Sequence, residues 1–127
     1  RRFRALPVYA VLLAYGQDGF AEMFARQVRL ARGVSRFLSE SEDFELLATQ
    51  PNQSGEFDNV HIIVIFRAKN ESVNAELVKK INDTRKMYVS GTKWEGKPAC
   101  RIAVSTWRVD VGRDVRLVEE VLGEILN

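Results

Sequence analysis

The chain has 127 residues, 46% of them hydrophobic and 28% charged, with a formal net charge of +2. This length suits one domain that buries roughly two thirds of the surface its unfolded chain exposes, and the composition excludes a disordered chain. No apolar run reaches the ~20 residues of a membrane-spanning helix, and the small basic excess, dense only at Arg1, Arg2 and Arg4, does not point to nucleic acid.

The opening Arg1-Arg2-Phe3-Arg4 has no initiator Met and no signal-peptide pattern, and it runs straight into an apolar block. It has the look of a segment cut from something longer. Leu6 to Tyr15 has helical character, with Pro7 tolerable in the first turn and Gly16 a fitting stop. Because it is apolar nearly all round and too short to cross a bilayer, this helix is expected to lie between two protein layers.

Asp18 is a candidate cap for a second helix to about Ser39, in which Phe20, Met23, Phe24, Gln27, Val28, Ala31, Val34 and Leu38 recur at helical spacing. Arg26, Arg29, Arg32 and Arg36 fall mainly off that stripe. They read better as a solvated or subunit-facing side than as a phosphate stripe, since no aromatic residues interleave them. Phe44 to Ala48 is a short strand candidate, and a polar loop follows at Gln50 to Gly55. Val60 to Phe66 is continuously apolar and is expected to be a central strand. His61, the only histidine, has no carboxylate or cysteine at a ligand spacing beside it and reads as structural.

Asn70 or Ser72 can cap a third helix that buries Val73, Leu77, Val78 and Ile81. Met87 to Thr92 returns as a strand, and the Trp94-Glu95-Gly96-Lys97 turn joins it to Lys97–Trp107 as an antiparallel hairpin. On that last strand Cys100, Ile102 and Val104 share one face, while Ala99, Arg101, Ala103 and Ser105 share the other. Arg101 is thus expected as a charge within a core strand, where it needs a carboxylate, a phosphate or water. Ser90 and Thr92, at the lip of the hairpin, read as strand-end residues. Cys100 is the only cysteine, which excludes an internal disulfide or a cysteine-rich metal site; it reads as a packed thiol in a chain from a reducing compartment such as the cytoplasm. A final amphipathic helix starts near Asp110 and turns Val115, Val118, Val121, Leu122 and Ile125 inward. The order helix, helix, strand, strand, helix, strand, strand, helix predicts an α+β fold with a mainly antiparallel sheet covered by helices on one face.

The sequence holds no glycine-rich phosphate loop, nucleophile elbow or HExxH helix, and no complete catalytic set. It does resemble a known family. Arg1 to Leu6, the apolar helix ending Tyr15-Gly16, Gly19-Phe20 and Gln27-Val28-Arg29-Leu30-Ala31 look like the C-terminal part of the pyridoxal-phosphate-dependent group II amino acid decarboxylases, which act on aromatic amino acids, tyrosine or glutamate. Phe44-Glu45-Leu46, Val78 to Asn82, Tyr88 to Thr92, Gly96 and Arg101-Ile102-Ala103 follow in the family's order.

The resemblance implies a fold-type I enzyme, with residues 1–16 the end of its large domain and residues 17–127 its small C-terminal domain. The full-length protein is then expected to be a cytoplasmic homodimer that decarboxylates an aromatic or related L-amino acid. By the same resemblance, Arg101 corresponds to an arginine that holds the substrate carboxylate. Pyridoxal phosphate belongs to the full-length enzyme and is not expected on this segment, because the family's cofactor lysine directly follows a histidine and no His-Lys pair occurs here. No metal, nucleic acid or membrane is implied, and the segment alone is expected to be inactive. Two alternatives stand beside this: a non-catalytic α+β module with an acidic partner, and a member of the same cofactor family that runs another reaction.

Overall fold

The computed structural model describes residues 3–126. The first helix, α1 (Leu6–Glu40), is broken at Gly16, whose φ of 65° and ψ of −176° no helical residue adopts. A side chain is disfavoured at that φ, so the glycine sets where the apolar first half ends and the amphipathic second half begins. The two sequence-predicted helices are the two arms of this element. Along the second arm Gln27, Leu30, Ala31, Val34, Ser35 and Leu38 are buried. Phe24, expected in the same stripe, is 52% exposed, and the first buried residue is Gln27, about two turns after Phe20, where the periodicity starts.

Four strands follow: β1 (Phe44–Leu47), β2 (Ile63–Ala68), β3 (Ser90–Trp94) and β4 (Lys97–Ala103). They form one sheet in the order β1-β2-β4-β3, antiparallel throughout. Helix α2 (Glu71–Asp83) connects β2 to β3, and α3 (Val111–Glu124) closes the chain. Asn70 caps α2 by accepting from the backbone N–H groups of Ser72 and Val73, and Asp110 caps α3 by accepting from that of Arg113. The reciprocal bond, Asp110 N–H to the Asp114 carboxylate at 3.0 Å, satisfies a second donor at the start of α3.

All three helices contribute to a single core, in which Phe44, Phe66 and Cys100 of the sheet meet Leu38, Leu77, Ile81, Val121 and Leu122. The Phe44 and Phe66 rings pack edge to face with centroids 5.9 Å apart. The sheet is covered on the face that carries these residues, as its sequence pattern predicts.

The strand limits differ from the sequence reading for identifiable reasons. The central strand begins at Ile63 rather than Val60, because Val60 N–H closes a turn on Phe57 O and Arg32 Nε donates to Val60 O. Strand β3 begins at Ser90 rather than Met87, since the Asn82 amide takes both backbone groups of Val89, at 2.8 and 3.1 Å. Strand β4 ends at Ala103 rather than Trp107. Buried Gln27 donates to Thr106 O at 2.9 Å, and the chain there follows α1 instead of the sheet.

Candidate functional site

Alternation along β4 sends Cys100, Ile102 and Val104 into the core and Arg101 and Ala103 to the opposite face. The hairpin turn sets this register. Glu95 and Gly96 have φ values of 50° and 78°, the pair of positive angles that a two-residue turn of type I′ requires. Arg101 is then flanked by Ile65 of β2 on one side and Ser90 of β3 on the other.

The expectation of a charge held inside the core is corrected here: Arg101 is exposed. The helices cover only the other face, so β4 is buried on one side and meets solvent on the other. Its guanidinium has no hydrogen-bond or ion-pair partner among the described residues. Directly opposed strand residues lie side by side on one face, so the surroundings of Arg101 can be read from the register. They are Ile65, half-buried Ser90, Ala99 and Ala103, with Thr92 opposite Ala99. Ser90 and Thr92 thus share the Arg101 face.

The same face carries a second arginine that the sequence reading missed. Arg67 Nε donates to a Glu45 carboxylate oxygen at 2.7 Å, and the two residues are cross-strand partners in the β1–β2 register. The Glu45 hydrogen bond, opposed by slight desolvation, holds the Arg67 pKa above its ordinary value. The signal in the sequence was alternation. Glu45 sits between Phe44 and Leu46, and Arg67 between Phe66 and Ala68, so each charge falls on the face opposite the buried residues.

The arginines of α1 are engaged. Arg32 donates to Val60 O and Asp58 O at 3.1 and 2.9 Å, Arg36 meets Glu56 at 3.4 Å, and Arg29 pairs with Glu22 at 3.1 Å. Arg32 and Arg36 fasten the 48–62 loop to the helix, whereas Arg29 pairs within the helix and Arg26 donates to Trp107 O. Arg4 is exposed, whereas Arg1 and Arg2 lie outside the described residues. His61 is exposed in the bend before β2, and no cluster of metal-binding side chains occurs among the described residues. Cys100 is buried, which pushes its thiol up to about 12.

An apolar groove of about 260 Å³ lies where the first arm of α1 meets Phe20, Met23 and Trp107. That arm is open: Leu6 is 53%, Tyr9 58% and Leu13 70% exposed. The lysines lie toward the surface. Lys79 pairs with Asp83, Lys86 with Glu124, and Lys69 donates to Ser41 O, all on the surface. Of the others Lys93 and Lys97 are exposed and Lys80 is half-buried.

No family model matches the chain. It is 28% identical over 121 residues to the aromatic-L-amino-acid decarboxylase of Sus scrofa, covering 94% of this chain and 23% of that protein. To the enzyme of the same name from Manduca sexta it is 30% identical over 106 residues, covering 82% of this chain and 19% of the relative. Among solved structures, Oryza sativa TDC with PLP and tryptamine superposes with a TM-score of 0.76 at 26% identity, over 98% of this chain and 27% of that one. The chain spans about a fifth of the length of these curated relatives.

Proposed function

We propose that this chain, which belongs to the group II pyridoxal-phosphate-dependent amino acid decarboxylases, serves as the small C-terminal domain of such an enzyme and contributes Arg101 as the anchor of the substrate carboxylate. The observation that carries the reading is the state of Arg101. It is an exposed guanidinium on a sheet face, between Ile65 and Ser90 in the register, with no partner among the described residues. A planar donor fork in that position suits bidentate binding of a carboxylate.

In the intact enzyme the cofactor supplies an electron sink for the bond that breaks, and the residues for holding it lie outside this chain. The role of this chain is positional. Holding the carboxylate by two parallel hydrogen bonds limits its rotation, and the small side chains of Ala99 and Ala103 leave room beside the guanidinium for the rest of an amino acid. Residues 1–16 complete the large domain in this reading, and residues 17–127 form the small one. The break at Gly16 and the open apolar arm before it support that division. The substrate is an aromatic or related L-amino acid, the full-length protein is a homodimer, and the segment alone is inactive.

The test is Arg101→Ala in the full-length holoenzyme. Loss of a charge-assisted hydrogen-bond pair is worth about 1.5–3 kcal/mol, so kcat/KM for an aromatic amino acid is expected to fall roughly 10- to 150-fold, with partial retention in Arg101→Lys. Unchanged kinetics in the alanine variant would overturn the assignment.

A further inference from the structure

The open sheet face carries two arginines in unequal states. Arg67 is held by Glu45 at 2.7 Å, whereas Arg101 is unpartnered among the described residues. The register sets them close together. Ile65 is opposite Arg101, Phe66 is opposite Cys100, and Arg67 follows one residue on, adjoining Ala99. Arg67 is therefore the diagonal same-face neighbour of Arg101, roughly 7–8 Å away between backbones and within reach of side chains of this length. The other two residues at this crossing of β2 and β4 are Ala99 and Ile65.

We propose that Glu45 is a specificity-determining residue: by occupying Arg67 it leaves Arg101 the one unpaired arginine on this face among the described residues, with Lys97 four residues away at the far end of β4, so that the face beside Arg101 accepts an amino acid with a single carboxylate and an uncharged side chain and rejects a dicarboxylic one. The inference rests on the anchor reading of Arg101 and deepens it. A dicarboxylic amino acid seated on Arg101 brings its second carboxylate toward Arg67. There it meets a guanidinium already neutralised, and a Glu45 carboxylate of its own sign. Either the second carboxylate loses water without gaining a partner, or it displaces Glu45 and strands that charge instead; both are unfavourable. An uncharged side chain meets Ile65 and the alanines and incurs neither cost. Specificity of this kind comes from the group that repels the wrong ligand as much as from the one that binds the right one.

Glu45 acts through Arg67, so the informative readout is a gain that structural damage does not produce. In the full-length holoenzyme, the ratio of kcat/KM for L-glutamate and L-aspartate to that for L-tyrosine or L-tryptophan is measured in Glu45→Gln. The ratio is expected to rise roughly 10-fold or more, mainly through a lower KM for the dicarboxylic substrates, as one freed guanidinium gains a carboxylate. Glu45→Ala removes the same charge with a smaller side chain and is expected to shift the ratio the same way. Glu45→Asp is expected to restore the original preference, and adding Arg67→Gln to Glu45→Gln to abolish the gain. An unchanged ratio in both Glu45→Gln and Glu45→Ala, alongside the expected loss in Arg101→Ala, overturns the role of Glu45 while the anchor stands. Unaltered kinetics in Arg101→Ala overturn the anchor and this inference together.

Discussion

Arg101 and Cys100 are adjacent on β4, yet their environments are opposite. Strand alternation sends the guanidinium to solvent on the open face and the thiol into a core that excludes water. For Arg101 the consequence is availability, and the alanine and lysine variants test it. For Cys100 it is inertness, because the thiolate is the reactive form and burial disfavours it. The raised thiol pKa also makes stability depend on pH. Below the unfolded value near 9 both states are protonated and the contribution is fully present; as pH rises from 9 toward about 12, the unfolded thiol ionises first and the folded state loses ground. Urea denaturation midpoints should therefore fall across that window, and a Cys100→Ala variant should show a smaller fall over the same range. A native chain that reacts with a thiol reagent at pH 8 as fast as the denatured chain would contradict this account.

At the scale of elements, side chains from neighbouring segments decide where strands begin and end. The Asn82 amide at the end of α2 occupies both backbone groups of buried Val89, so the ladder of β3 starts only at Ser90, the residue beside Arg101. Asn82→Ala leaves a donor and an acceptor without partners near the core. It should cost about 2–4 kcal/mol, read as a lower denaturation midpoint with unchanged m-value. A loss below about 0.5 kcal/mol would mean that water replaces the amide without penalty. The alternation of β4, the Glu95-Gly96 turn and the caps at Asn70 and Asp110 are legible in the sequence because each is a local preference. The offsets of β2 and β3 are not, since Arg32 and Asn82 reach their targets only after the helices have docked.

For the whole molecule, the division at Gly16 matters most. Every buried core residue lies at Leu30 or beyond, while the arm before Gly16 exposes Leu6, Val8, Tyr9, Leu12, Leu13 and Tyr15. So much contiguous apolar surface is unusual on a water-facing helix. A chain comprising residues 17–127 should therefore unfold cooperatively, with a denaturation midpoint close to that of residues 1–127. It should also lose most of the binding of a hydrophobic dye that the longer chain shows. If the shorter chain unfolds without a cooperative transition, the first arm is part of the domain core.

By itself the sequence determined the element order, the antiparallel α+β class, the caps, the hairpin and the face on which Arg101 stands. These follow from periodicity and turn chemistry, which act within a few residues of one another. Its likeness to the decarboxylases likewise lies in the linear order of short blocks. Only the tertiary structure decided that one sheet face stays uncovered, that Arg101 is exposed and without a partner among the described residues while Arg67 is held by Glu45, and that Arg32 and Arg36 fasten a loop. Those outcomes depend on which surfaces meet when three helices pack on one side of a sheet, and on charges brought together from strands 22 residues apart in the chain.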